Sequence, residues 1–355
     1  MNKLNPIHKN RLRPWALLLL LAAVLTGMTG CARIHSANET DLILGTIVNV
    51  RVYGKMSQSR VDEAARAAMD KARSLEQIFS VNIADSELNY VNTHAADGPV
   101  QVSEDLFKVL ETSLYYARLT DGAFDPTLGA LIQLWGIGTD HAQVPSPAAL
   151  APLTGRKDYE NVVLDSDART VYFKTGGFSL DLGAIAKGYA ADEMKRLLVD
   201  DYGIPSAMLN LGGNIITIGS KADGSDWTLG IADPKNPEDS ENPAVLFKTS
   251  GQTLVTSGNY QRYFEGPDGT RYHHILDGAT GYPADTGTVS VTIVTDCSMD
   301  ADALSTAVYV LGPEKGRALI ESLDNTEAVF IDDQGHVIAT KGIRDKLHAG
   351  SLSLE

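Results

Sequence analysis

The stretch richest in possible chemistry is Asp181-Leu-Gly-Ala-Ile-Ala-Lys-Gly-Tyr-Ala-Ala-Asp192. Before it, Phe178-Ser-Leu-Asp181 alternates like a short strand, and from Ala190 to Val199 apolar residues recur at helical spacing. The chain therefore turns from strand into helix near Gly183, where bare backbone can approach a ligand closely. Lys187 falls in the first helical turn, where the helix dipole is already positive. Two positive features at one point suit an anion between them, most simply a phosphate. The plain alternative is a Lys187 that snorkels to solvent and an Asp192 that pairs with Arg196 one turn on. On the phosphate reading, Lys187→Met leaves the free protein as stable or more stable, because a cation leaves an unfavourable place.

A second candidate is Asp300-Ala-Asp-Ala-Leu-Ser-Thr306 at the start of a helix. Asp302 and Thr306 are four apart and share a face. One carboxylate and one hydroxyl make a sparse hard-cation site, suited to Mg²⁺ when phosphate and water complete its shell. The same residues also serve as ordinary capping and dipole matching. His273 and His274 alternate along a strand, so one faces inward and the other outward. A His beside a phosphate can act as general base, and a half-buried structural role is the alternative. No Ser-His-Asp or Cys-His set, zinc spacing, Walker A loop or GxGxxG after a strand is present.

These groups need elements to hold them. Leu42 to Tyr53 reads as a first strand and Gln58 to Phe79 as an amphipathic helix. Ser86-Glu87-Leu88 reads by itself as a capped helical turn. Ser103 caps a helix running to about Leu119, and Phe124-Asp125-Pro126 opens another with Pro at its first position. Asn161–Leu164 and Thr170–Phe173 form a hairpin. Ser206–Leu211, Ile215–Gly219 and Trp227–Ile231 read as antiparallel neighbours, with Gly212 and Gly213 bringing bare backbone to one point. Thr288–Thr295 is a strand, Asp300–Leu311 and Pro313–Leu323 are helices, and a last hairpin turns at Asp333-Gln-Gly335. Strands and helices in separate runs argue for an α+β fold.

The first thirty residues stand apart. Lys3, Lys9, Arg11 and Arg13 precede an apolar run from Trp15 to Leu25, which ends at Met28-Thr-Gly-Cys31. A small residue before a Cys at this place resembles the lipobox of bacterial lipoproteins, with Met28 where Leu is preferred. The expected mature chain is exported and begins at a lipidated Cys31, with a tether to residue 41 that anchors it on the extracytoplasmic side of a membrane. Losing residues 1–30 removes four basic and no acidic side chains, leaving 26 basic and 45 acidic residues and a net charge of −19. That balance argues against nucleic acid and against electrostatic adhesion to anionic lipid. Cys297 is the only other cysteine, so no disulfide framework holds the fold.

Several motifs stand in one order: Leu44-Gly-Thr46, Ser86-Glu-Leu88 with Asn92, Phe124-Asp-Pro126 running to Leu134-Trp-Gly136, and Asp181 to Gly188. Asn210 to Asn214, Ser257-Gly258, His274-Ile-Leu-Asp277 with Thr280-Gly-Tyr-Pro283, and Ala301-Asp302 to Thr306 continue it. Together they resemble the ApbE family of flavin transferases, often exported lipoproteins, over nearly all of residues 42–340. Leu44 stands where the family usually has Met and Gly278 where it usually has Pro; neither change removes a ligand group.

The resemblance implies a T-fold-like α+β body over 42–343, with antiparallel sheets, packed helices and a tail at 344–355. It implies FAD in a cleft, and Mg²⁺ held by Asp302, Thr306 and the backbone carbonyl near Ala184. FAD would be split, with AMP leaving and FMN esterified onto a Thr or Ser of a target flavoprotein. Targets of this class include subunits of ion-pumping NADH or ferredoxin oxidoreductases and FMN-binding-domain proteins. The absent nucleophile then arrives on the partner. Lys187 becomes a phosphate partner and His274 the base for the incoming hydroxyl. Thr46, Ser86, Glu87, Asp125, Asp181, Asp192, Gly212, Gly213, Ser257 and Ile275 become flavin or adenosine contacts, or their supports. Two other activities use the same ligands: a Mg²⁺-dependent FAD pyrophosphatase yielding FMN and AMP, and an FAD-binding or scavenging lipoprotein.

Overall fold

The computed structural model describes residues 33–267 and 269–354. The apolar leader and Cys31, with its expected lipidation, lie outside the described residues. Strands β1 (His35–Ile43) and β2 (Thr46–Gly54) form a hairpin through Leu44-Gly45, both at positive φ, as a two-residue turn that matches strand twist requires. Helix α1 (Gln58–Phe79) starts at Ser57, whose hydroxyl accepts from the Arg60 amide, and buries Val61, Ala64, Ala65, Ala68, Ala72 and Leu75. Helix α2 (Glu87–His94) follows, then β3 (Val100–Gln101) and α3 (Glu104–Leu119), which Ser103 caps. Helix α4 (Gly129–Trp135) ends at a left-handed Gly136, and α5 (Pro147–Leu150) is a single turn. The hairpin β4 (Val162–Asp165) and β5 (Thr170–Phe173) takes β3 as a third strand.

Helix α6 (Ala186–Arg196) precedes β6 (Ser206–Leu211) and β7 (Asn214–Ile218), joined through Gly212-Gly213. Then come β8 (Trp227–Ile231), β9 (Val245–Thr249), β10 (Thr253–Gly258), β11 (Tyr263–Glu265), β12 (Arg271–His273) and β13 (Thr288–Thr295). Helix α7 (Ser298–Ile320) breaks at Gly312, whose φ of 77° and following Pro313 divide it in two. The chain ends in β14 (Glu327–Asp332), β15 (Val337–Ala339) and β16 (Leu347–Ala349).

An eight-stranded antiparallel sheet, ordered β1-β2-β6-β7-β10-β13-β14-β15, divides the molecule. One face takes α1, α6 and α7, with Val48, Val50, Leu209, Ile216 and Ile293 meeting Ala190, Leu304 and Val308 in the main core. The other face meets the small sheet β16-β9-β8, where Trp227, Leu229 and Phe247 pack on Leu254, Val294 and Val329. The fold is α+β.

Several expectations are corrected. Residues 35–41, expected as tether, pair with β2 at every position. Their polar alternation hid a strand because it lies at the sheet edge, where both faces are largely wet. The expected tail at 344–355 supplies β16, and Leu354 bridges to Val337. Phe178–Asp181 is not a strand and makes a single bridge, Ser179 to Leu128. The helix after Asp125 starts at Gly129 and not at Pro126, because the Asp125 carboxylate accepts from the Thr127 amide and holds a turn there. Strand β8 belongs to the second sheet, not beside β7.

Candidate active site

Register gathers four of the sequence-predicted residues, Thr46, Gly212, Gly213 and Ser257, at one end of the large sheet. Val48 pairs with Leu211 and Val255 with Asn214, so the turns Leu44-Gly45 and Gly212-Gly213 and the end of β10 lie side by side. Gly212 must be bare: a Cβ on it would stand 2.0 Å from Thr46 Oγ1. Ser257, at the end of β10, places its Oγ 2.8 Å from Ser305 Oγ on α7, and Ser305 donates to the Asp302 carbonyl.

Above this sheet end the starts of α6 and α7 hold each other. Asp192 of α6 accepts from the Ser298 and Met299 amides at 2.9 and 2.8 Å, which caps α7. In return Asp302 of α7 accepts from the Gly188 amide at 2.9 Å. The helices can approach this closely only because residue 188 is glycine; a Cβ would lie 2.2 Å from the Ser298 carbonyl oxygen. Lys187 Nζ completes the arrangement, 3.2 and 3.4 Å from the two Asp302 oxygens and 2.8 Å from the Gly183 carbonyl. The Lys187 and Asp302 side chains are 18% and 4% exposed. Lys187 therefore does not snorkel to solvent. In this structure the anion beside it is the carboxylate of Asp302.

His274 lies on the rim of the same site. Its Nδ1 and its backbone amide both point at the Arg262 carbonyl, at 3.2 and 3.1 Å. A carbonyl only accepts, so Nδ1 carries the proton and Nε2 keeps a free lone pair. Burial, helped by the charges of Arg262 and Lys187, pushes its pKa down to about 3, so the ring is neutral at pH 7. Burial alone holds the Asp181 carboxyl above its usual range, against the pull of the Gly183 amide, Lys187 and Arg262. The segment before Asp181 is clamped by Asn92, which donates to the Leu180 carbonyl and accepts from the Leu180 amide.

His274 predicts a pH effect on stability. Its folded pKa lies below the unfolded value of about 6.5, so the unfolded chain binds the extra proton and stability falls as pH drops below that value. Between pH 7 and 5 the wild type is expected to lose on the order of 1–2 kcal/mol more than His274→Gln. Parallel unfolding curves at the two pH values check this; equal losses would contradict it.

Other predicted residues sit elsewhere or are already engaged. Ser86 caps α2 by accepting from the Asn89 amide, the capping role its sequence suggested. Both Glu87 oxygens are taken by the Ser103 amide and hydroxyl, which pins the start of α3. Asp192 supports α7 and does not pair with Arg196, which bonds Glu193. The Ile275 amide bonds the His273 ring and its carbonyl the Ala284 amide. Asp125 accepts from the Thr127 amide and hydroxyl, and burial raises its pKa to about 6. Arg262 went unnoticed in the sequence. It follows β10 in an exposed turn with no periodicity to mark it, yet its guanidinium reaches the Gly45 carbonyl at 3.3 Å.

The donor set suits Mg²⁺. Among the described residues no group of three or more His, Cys, Asp or Glu forms a metal cluster. A sparse oxygen set is present instead: the Asp302 carboxylate, the Gly183 carbonyl and, one turn along α7, Thr306. Lys187 already places one cation among the first two. Gly188 donates to Asp302 and not to the Ala184 carbonyl four residues back, which leaves that oxygen outside the helix ladder.

Comparison with known proteins agrees with this geometry. The model of the ApbE family matches residues 44–330. A FAD:protein FMN transferase of Treponema pallidum (strain Nichols) is 39% identical over 344 residues, covering 92% of this chain and 94% of that protein. One from Klebsiella pneumoniae (strain 342) is 34% identical, covering 84% and 89%. Among solved structures, the ApbE protein of Thermotoga maritima superposes with a TM-score of 0.79 at 31% identity, over 88% of this chain and 99% of that one. The flavin transferase ApbE of Vibrio cholerae superposes with a TM-score of 0.77 at 27% identity, over 88% and 100%.

Proposed function

The chain belongs to the ApbE family, and on that premise we propose that it transfers FMN from FAD to a Thr or Ser hydroxyl of a target flavoprotein, releasing AMP. The observation that carries this reading is the crossing of α6 and α7. It gathers Lys187, the start of α6 and the Asp302 carboxylate at the sheet end that also holds Thr46, Gly212 and Ser257.

Attack on a pyrophosphate concentrates negative charge on phosphate oxygens. Lys187 and the positive end of the α6 dipole are fixed before the reaction and oppose that charge at no cost of rearranging solvent. Asp302, Thr306 and the carbonyl of Ala184, with Gly183 beside it, would hold Mg²⁺, which withdraws charge from the pyrophosphate when bound. The acceptor oxygen forms a bond to the FMN phosphorus, the bridging P–O bond breaks, and AMP leaves with the bridging oxygen. The hydroxyl proton goes to His274 Nε2. In the free protein that ring is a weak base; phosphate charge beside it raises its proton affinity toward the working range. The nucleophile comes with the partner, which accounts for the lack of a nucleophilic set in this chain.

The test is incubation with FAD and Mg²⁺, with and without a target domain. FMN linked to the target supports the transferase. Free FMN plus AMP as the main products, even with target present, assigns a pyrophosphatase. Intact FAD assigns a binding protein.

We further propose that the protein is exported and held by lipid on Cys31 at the extracytoplasmic face of a membrane, since Cys31 closes an apolar leader. No described helix is long and apolar enough to cross a membrane. Cys31→Ser is expected to move the protein from the membrane fraction to the soluble one while transfer continues at the same rate. A mutant that still sediments with membranes contradicts the anchor.

A further inference from the structure

Two buried polar side chains at this sheet end have no partner, the Ser290 hydroxyl opposite Gly258 and the Asn214 amide, and the second faces the α6–α7 crossing. Asn214, the first residue of β7, is 1% exposed, and its Nδ2 makes no hydrogen bond. A buried donor left unpaired costs stability, so its presence calls for a reason. The adjoining turn does not supply one: Asn210 sits between the helix-facing Leu209 and Leu211, so it points to the other face of the sheet, where its Oδ1 accepts from the Gly213 amide.

Strand alternation fixes where Asn214 points. Ile216 and Ile218 belong to the helix-side core and Ile215 packs toward the second sheet, so Asn214 faces the helices. Its level along the helices follows from β10. Thr253 Oγ1 lies 3.2 Å from Ser298 Oγ and Ser257 Oγ lies 2.8 Å from Ser305 Oγ, so α7 runs along β10. Val255, midway between them and paired with Asn214, is therefore level with Ala301 and Asp302. Helix α6, whose start carries Lys187, packs on β6 and β7. Asn214 thus lies beneath the Lys187–Asp302 pair, and its unpaired amide is on the face of the sheet turned toward that pair.

We propose that Asn214 is a substrate-positioning residue whose Nδ2 donates to a phosphate oxygen of the bound dinucleotide. This rests on the flavin-transfer reading. A hydrogen bond to a charged acceptor supports the ligand, and the empty protein bears the cost of the unpaired donor.

The test compares wild type with Asn214→Leu, which keeps the branched shape and removes the donor, and with Asn214→Ser, which keeps a smaller donor. Thermal midpoints are measured without ligand, and affinities in Mg²⁺ for FAD, for ADP and for riboflavin. Asn214→Leu is expected to melt at the wild-type temperature or above it, and to bind FAD and ADP about ten- to a hundredfold more weakly. Riboflavin, which has no phosphate, is expected to bind all three proteins alike, and Asn214→Ser to fall between the others for FAD. A lower midpoint with unchanged FAD and ADP affinity makes Asn214 structural and overturns the proposal. Equal loss of riboflavin affinity also overturns it. If Asn214→Leu does not fold, wild-type affinity for ADP in Asn214→Ser overturns it as well. Failure of the wild type to bind FAD or ADP overturns the flavin-transfer reading along with it.

Discussion

Lys187→Met is expected to cut FMN transfer by about two to three powers of ten and, without any ligand, to lower the thermal midpoint by a few degrees. The first effect follows from the removal of one charge-assisted contact in a site sheltered from water, a contact of roughly 2–4 kcal/mol. The second reverses what the sequence implies. A lysine at a helix start is unfavourable by itself, so its removal should stabilise the free protein. The structure changes the sign, because Asp302 reaches into that helix start and is almost fully buried there. Without the ammonium the carboxylate keeps one amide and loses its counter-charge. Breaking a fully buried pair costs about 3–5 kcal/mol; with Lys187 partly exposed, about 1–3 kcal/mol is the reasonable expectation. Thermal melts of Lys187→Met and of the double variant Lys187→Met/Asp302→Asn check the argument. The second substitution should restore much of what the first removes, since a neutral amide needs no counter-ion. A raised midpoint in the single variant, or a normal transfer rate, contradicts the pairing.

That reversal marks where the sequence stops being informative. Elements with a strong local apolar pattern were legible: α1, with one buried face, runs over Gln58–Phe79, and β13, a β-branched run buried on both faces, over Thr288–Thr295, as the spacing predicts. The break at Gly312-Pro313 was legible too, since Pro cannot continue a helix. Strand β1 was not, because an edge strand with wet faces has no hydrophobic alternation to read. The sheet that β8 joins could not be read either, because strand pairing across long connections leaves no local trace. Types and spacing singled out Lys187, Asp302 and His274 as candidates, yet contacts that build this end of the fold join residues far apart in the chain. Lys187 meets Asp302 across 115 positions, and Gly45 meets Arg262 across 217. The family resemblance marked Glu87 and Asp192 as flavin or adenosine contacts or their supports, and only the structure reveals that each carboxylate caps a neighbouring helix. Charge type can be read locally; what the charge is used for depends on tertiary contact.

Asp302→Asn is expected to abolish measurable transfer, a fall of at least three powers of ten, while the fold survives. The substitution separates two duties, the helix crossing that the structure shows and the cation binding proposed for the same carboxylate. An asparagine oxygen can still accept from the Gly188 amide, so the crossing of α6 and α7 keeps its hydrogen bond. It offers no charge to Lys187 and is a poor ligand for a hard divalent cation, which prefers carboxylate oxygen. The free variant should therefore melt within a few degrees of the wild type, and Asp302→Ala, which also strands the Gly188 amide, should melt lower. Mg²⁺ supplies the decisive comparison. A ligand that binds only the folded state raises its midpoint, so the wild type is expected to melt higher as Mg²⁺ is added in the presence of ADP. Asp302→Asn is expected to show no such rise. ADP without Mg²⁺ should still bind through Lys187, and more tightly than to wild type, because removing the nearby carboxylate relieves repulsion with phosphate. A variant that responds to Mg²⁺ as the wild type does, or a wild type that transfers FMN at full rate in excess EDTA, would place the cation elsewhere or nowhere. Tighter metal-free ADP binding combined with lost turnover would mean that Asp302 serves the reaction through the cation and not by holding the nucleotide.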